Sequence, residues 1–105
     1  MPIIQAASGI VTQINVFTVP EGGQQAMLAN LERGVAVARE TPGWRSASLH
    51  RSVDGTRIVN YAQSETMAAA LAVIERLRAA GMIDRNRGFG EAHPGLYEVV
   101  RTFER

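Results

Sequence analysis

Cysteine is absent from this sequence, and so is lysine: all eleven basic residues are arginine. The first absence excludes disulfides, thiolate nucleophiles and thiolate metal sites. The second places every basic charge on a guanidinium, a group suited to bidentate and stacked contacts, although the arginine codons of a GC-rich genome account for the same pattern. Histidine occurs twice, at His50 and His93, too far apart in the chain for metal-ligand spacing. The N-terminal stretch MPIIQAASG has neither a basic region nor a long apolar run, so no signal peptide or membrane span is expected and the default location is the cytoplasm. No G-x-G-x-x-G, P-loop or G-x-S-x-G is present, which removes the usual signatures of nucleotide binding and serine hydrolysis. A formal net charge of +1, with no basic stripe interleaved with aromatics, argues against nucleic acid or a membrane surface as partner.

What is present is ordinary globular composition, 46% hydrophobic and 20% charged over 105 residues, enough for one domain with a real core. Residues 1–9 read as a short, loosely held arm. From Ile10 to Val19 the run IVTQINVFTV is β-branched with apolar side chains on both parities, the pattern of a central strand. Pro20 ends it. Met27, Leu28, Leu31, Val35 and Ala38 then recur at helical spacing between about Gly23 and Arg39, with Gly34 either weakening that helix or permitting close packing, until Thr41-Pro42-Gly43 stops it.

A hairpin follows. Asp54-Gly55 is the strongest short turn signal in the chain, and it joins strands expected from about Trp44 to Val53 and from Thr56 to Gln63. A two-residue turn there pairs Val53 with Thr56, Arg51 with Ile58, Leu49 with Asn60 and Ala47 with Ala62. Alternation then puts Ala47, Leu49, Val53, Ile58, Asn60 and Ala62 on one face and Ser46, Ser48, His50, Val59, Tyr61 and Gln63 on the other. Asn60 is the polar exception on the apolar face. Removed from water without a partner, an amide costs roughly 1–3 kcal/mol, so it calls for a bond to protein or ligand. Beyond the hairpin, Thr66 can cap a second helix whose stripe is Met67, Ala70, Leu71, Ile74 and Leu77, running to about Ala80. Residues 81–95 are glycine-rich and charged, a mobile connection with room for one helical turn. The last strand is expected from Leu96 to Phe103.

The order β-α-β-β-α-β is that of the ferredoxin-like α+β fold, a four-stranded antiparallel sheet with both helices on one face. The other face, carrying His50, Val59 and Tyr61, is partly apolar and uncovered, which predicts a homodimer whose sheets face each other.

Several runs together resemble the antibiotic biosynthesis monooxygenase family: Val11 to Pro20; Pro42-Gly43-Trp44 with Ser46-Ala47-Ser48-Leu49-His50-Arg51-Ser52; Asp54-Gly55-Thr56-Arg57; Asn60-Tyr61-Ala62-Gln63; and His93-Pro94-Gly95-Leu96-Tyr97-Glu98-Val99-Val100. The resemblance spans nearly the whole chain and implies a dimeric α+β barrel with a small-molecule pocket between helices and sheet. Some members oxidise aromatic polyketide intermediates to quinones with O2 and no flavin, haem or metal, and in these the asparagine of the NYAQ run, here Asn60, lines the pocket. Two departures accompany the likeness. Those oxygenases carry tryptophan directly after the run, where this chain has Ser64, and some carry a tyrosine six residues further on, where it has Ala70. A related haem-degrading group needs a histidine on the second helix, and residues 65–80 contain none.

The resemblance therefore implies no cofactor, molecular oxygen as co-substrate and a small aromatic substrate. Such chemistry needs a substrate that turns electron-rich on losing a proton, and a protein that holds the anion. Asn60 is the candidate holder through its N–H2 group; its plainer role is to tie strand to helix. Arg78, Arg85 and Arg87 are the candidate cations, Arg85 placed first, and His93 the candidate base, set against the plainer readings of solvated arginines and a turn histidine. Leu49, Ser64, Ala70, Ile74, Arg78 and Phe89 complete the expected substrate-binding set beside Asn60. Two other readings stay open: a non-oxidative cyclase, isomerase or binding protein of the same fold, and a structural dimer without ligand.

Overall fold

The structure, a computed structural model, describes residues 1–105. Its elements are β1 (Val11–Thr18), α1 (Gln24–Ala38), β2 (Trp44–Arg51), β3 (Arg57–Ser64), α2 (Met67–Ala79), α3 (Met82–Asn86) and β4 (Glu91–Glu98). The strands form one antiparallel sheet in the order β2-β3-β1-β4, with the helices on one face: the ferredoxin-like arrangement. β1 lies between β3 and β4, as its two-sided apolar character requires. Thr66 caps α2 by accepting from the Ala69 N–H at 3.0 Å, while Arg76 and Arg78 sit in its last turn, where the helix dipole favours positive charge. No helix is long and apolar enough to cross a membrane.

The hairpin register is the expected one, Ala47 opposite Ala62, Leu49 opposite Asn60 and Arg51 opposite Ile58, but the loop is longer than two residues. Ser52 and Arg57 close it through Ser52 N–H to Arg57 C=O at 3.0 Å, so Val53 is fully exposed rather than paired with Thr56. Adding one residue to each side of a turn leaves the pairing sum unchanged, which is why the faces survive. Within the loop the Asp54 Oδ1 accepts from the Thr56 hydroxyl at 2.6 Å, the Thr56 N–H at 3.0 Å and the Ser52 hydroxyl at 2.9 Å. These bonds, that of the Thr56 hydroxyl foremost, hold the Asp54 carboxyl well below the usual carboxylate range. Gln24, at the start of α1, donates from Nε2 to the carbonyls of Ser52 and Arg57 at 3.0 and 3.1 Å, tying the helix to the hairpin.

Two expectations near the C-terminus are corrected. The last strand starts at Glu91 and ends at Glu98, not Leu96 to Phe103, and of the expected mobile connection only Met82–Asn86 forms the helical turn. Pro94 and Gly95 read as turn residues, yet an edge strand tolerates a proline because it needs partners on one side only. The arm is also less loose than expected: the Gln63 Nε2 donates to the Ile3 carbonyl at 2.9 Å, and the Ala7 N–H to the Val99 carbonyl at 3.1 Å.

On the helix-facing side of the sheet the hairpin end is solid. Phe17 and Ile58 pack with Met27 and Leu31 of α1, flanked by Val19, Leu28, Leu49 and Phe89. Toward the other end the side chains shrink to Ala47 and Ala62 on the sheet and to Gly34 and Ala38 on α1. Small residues facing one another across two layers cannot fill the gap between them.

Candidate functional site

That gap is a cavity of about 760 Å³, within the roughly 300–1,000 Å³ typical of small-molecule sites. Thirteen of its 23 lining residues are hydrophobic, so an occupant is held mainly by desolvation, and the few polar groups decide its orientation. The sheet supplies Gln13, Asn15 and Phe17 from β1, Trp44 and Ala47 from β2, and Asn60 and Ala62 from β3. The helices supply Leu31, Gly34, Val35 and Ala38 from α1, Val73, Ile74, Leu77 and Arg78 from α2, and Met82, Ile83 and Asn86 from α3.

Asn15 and Asn60 are direct cross-strand partners on β1 and β3, which brings their Cβ atoms to about 4.5–5.5 Å. Their amides differ in how they are held. The Asn15 Oδ1 accepts from the His93 N–H of β4 at 3.1 Å. Pro94, paired with Asn15, has no N–H to offer, and this side-chain bond fastens the edge strand at that point. With its oxygen engaged, Asn15 keeps its N–H2 as the free end. The Asn60 Oδ1 is buried and has no hydrogen-bond partner at all. Thr12 Oγ1, Asn30 Oδ1 and Thr41 Oγ1 are likewise buried without partners, but of the four residues only Asn60 lines the cavity.

Charge is confined to one side. Arg78 and Arg87 reach the lining from the end of α2 and just beyond α3, their side chains 60% and 76% exposed. Each is paired with a carboxylate of its own helical segment, Arg78 with Glu75 at 2.6 Å and Arg87 with Asp84 at 3.0 Å. Exposed pairs of this kind are worth little and exchange readily, so both guanidiniums can turn to an anionic occupant. Glu91 is the single acidic residue on the lining, and strand alternation turns its carboxylate to the opposite sheet face, beside His93. No three histidine, aspartate or glutamate side chains converge anywhere in the chain to ligate a metal.

Residues 10–74 match the profile of the antibiotic biosynthesis monooxygenases. The chain belongs to that family. It is 31% identical to the tetracenomycin-F1 monooxygenase of Streptomyces glaucescens over 98% of its own length and 93% of the relative's. Among solved structures it is similar to SnoaB, a cofactor-independent oxygenase from Streptomyces nogalater (TM-score 0.81, 21% identity, 92% of this chain and 99% of that one). It is also similar to the ActVA-Orf6 monooxygenase of Streptomyces coelicolor in complex with nanaomycin D (TM-score 0.78, 27% identity, 93% of each chain).

Of the residues singled out in the sequence, the cavity brings together Asn60, Ile74, Arg78 and Arg87. Leu49 and Phe89 pack on the apolar cluster at the hairpin end instead. Ser64 and Ala70, the two positions where the chain departs from the family pattern, are each 5% exposed and lie outside the lining. Arg85 is exposed and off the lining, where Arg87 stands instead; two residues along a helical segment is over half a turn, enough to change the face. His93 is corrected most clearly. It belongs to β4 rather than a mobile loop, and pairing with Val16 puts it on the sheet face turned away from the cavity. There its Nε2 lies 3.9 Å from the Glu91 Oε1.

Sequence reasoning missed Asn15 and Trp44. Asn15 could have been found, because the only asparagine in a β-branched strand stands out once β1 is paired with β3. Trp44 could not. Simple alternation assigns it to the face of Ser46 and His50, but the register slips between Trp44 and Ser46, so that Trp44 pairs with Ser64 and Ser46 with Gln63. The extra residue, Arg45, forms a bulge that turns Trp44 over to the helix side.

Proposed function

We propose that this protein is a cofactor-independent monooxygenase that converts a polycyclic phenol or anthrone to a quinone. The observation that carries the proposal is Asn60 on the lining of a largely apolar cavity, its buried Oδ1 unpaired and its N–H2 donating to no acceptor of the protein. The 31% identical relative is a tetracenomycin-F1 monooxygenase and SnoaB is a cofactor-independent oxygenase, which supports the same reading. The ring methylene of an anthrone loses a proton, and the carbanion passes one electron to O2. The resulting radical and superoxide combine to a hydroperoxide, which eliminates water to leave the carbonyl; one O2 is consumed per methylene, one oxygen atom entering the product and one leaving as water. The N–H2 groups of Asn60 and Asn15 hold the oxyanion delocalised from that carbon. Arg78 and Arg87 add positive potential that lowers the substrate's own pKa. With His93 on the far face, ionisation is promoted by stabilising the anion rather than by a histidine base.

We infer further that the open face of the sheet, where Ile14, Val16, Val59 and Tyr61 are half-buried, covers that of a second copy. A monomeric mass by light scattering at micromolar protein would refute the dimer. The activity is tested by oxygen uptake with dithranol, a dihydroxyanthrone. Stoichiometric uptake is expected, with a quinone product and no added cofactor. Saturable binding of dithranol without uptake would overturn the oxygenase reading in favour of a non-oxidative enzyme or binder.

A further inference from the structure

We propose that Trp44 is the residue that selects flat aromatic occupants, presenting the face of its indole as the stacking wall of the cavity. The inference rests on the reading of the cavity as the substrate site, but not on the oxidation that follows. Trp44 and Phe17 are the only aromatic residues on the lining. Phe17 is 1% exposed and committed to the apolar cluster, whereas Trp44 is half-buried and still offers surface. Its indole N–H makes no hydrogen bond within the chain, although a tryptophan in a packed core normally finds an acceptor.

The backbone is arranged to put the ring there. Gly43, at φ +88, lets the chain leave the α1–β2 turn in a conformation other residues rarely adopt. The Trp44 N–H is pinned to the Thr41 carbonyl at 3.1 Å and the Glu65 N–H to the Gly43 carbonyl at 2.8 Å, so the bulge at Arg45 starts from fixed points. Around the indole the sheet carries only small side chains, Ala47 on its own strand, Ala62 on the next, and the buried Ser64 as its cross-strand partner. None of them competes for the space above the ring. An indole rimmed by alanines and a serine forms a flat apolar plate with one free donor, and a planar fused-ring molecule with oxygen substituents matches it in both respects.

Trp44 is the only tryptophan in the chain, so tryptophan fluorescence reports on this side chain alone. The test is titration of the intact protein with emodin, a planar hydroxyanthraquinone, and with cholate, a non-aromatic polycycle of similar size, each followed by fluorescence and by calorimetry. Saturable quenching by emodin, with the same Kd by both methods, and much weaker binding of cholate are expected. Replacing Trp44→Leu should loosen emodin by about 2- to 13-fold, with Trp44→Phe recovering most of the loss and cholate unaffected. Emodin binding without quenching, equal affinities in wild type and Trp44→Leu, or cholate binding as tightly as emodin would each overturn the proposal. The wild-type titrations need no variant to fold. If dithranol is bound but consumes no oxygen while emodin quenches Trp44, the oxygenase reading fails and this one stands; oxygen uptake with no quenching sinks only this one.

Discussion

Replacing Asn60 by leucine should make the protein more stable and less active at once. The Asn60 Oδ1 is buried without a partner, and a buried polar atom in that state costs about 1–3 kcal/mol. Leucine branches at the same carbon, and although its methyls are bulkier than the amide oxygen and nitrogen, the cavity that Asn60 lines takes up the extra volume. The folded state should gain at least about 1 kcal/mol, which in a domain of about this size raises Tm by at least about 4 °C. Activity should move the other way. Loss of one preorganised donor to a developing oxyanion typically lowers kcat by about 100- to 1,000-fold. Urea denaturation and oxygen uptake with dithranol, run on the same two preparations, check both halves. If Asn60→Leu were destabilised by 1 kcal/mol or more (about that size being the value of one ordinary hydrogen bond), Asn60 would be a structural tie between strand and neighbour, and the argument that assigns it to substrate would collapse.

Four further outcomes follow from other positions. Gly34→Ala should stabilise α1 by about 0.5–1 kcal/mol, because the nearest atom to the added methyl, the Leu77 Cδ2, is 3.8 Å away; a fall in urea midpoint would mean that the helices pack more tightly there than described. Gly43→Ala should cost at least about 1–2 kcal/mol, since φ is +88 and the new Cβ would lie 2.6 Å from that of Ala69; an unchanged midpoint would contradict that geometry. Asp54 is held below its ordinary value of 3.8 by its bonds to Thr56 and Ser52, so its contribution is complete above about pH 4 and is lost as pH falls toward the depressed folded value. Asp54→Asn should therefore be less stable than wild type at pH 5, with the gap closing in acid, and a gap independent of pH would refute the linkage. His93→Gln should leave the pH profile of oxygen uptake unchanged, and loss of a limb of that profile in the variant would restore His93 as a base.

The hairpin shows how much of the site was legible. Asp54-Gly55 and alternation sufficed to put Asn60 on the helix-facing side, because any symmetric lengthening of the turn preserves the pairing. Thr66 and the apolar stripes placed both main helices for the same reason, since local capping and burial period are properties of neighbouring residues. Arg85 against Arg87 was not legible. Each lies in a short segment without periodicity, and which of them meets the cavity depends on how α3 packs. His93 failed through Pro94 and Gly95, whose turn character is overridden where an edge strand needs partners on one side only.

By itself, then, the sequence determined the order of the main elements, the sheet faces of the hairpin beyond its bulge and the presence of an amide among apolar neighbours, all of which follow from near-neighbour stereochemistry and side-chain period. Only the tertiary structure decided that the amide faces a hollow, that Asn15 lies beside it and that Trp44 forms a wall. Those depend on the sum of side-chain volumes across two layers, on the register between β1 and β3, and on a one-residue bulge that reverses a face. None of these is a property of any single stretch of chain.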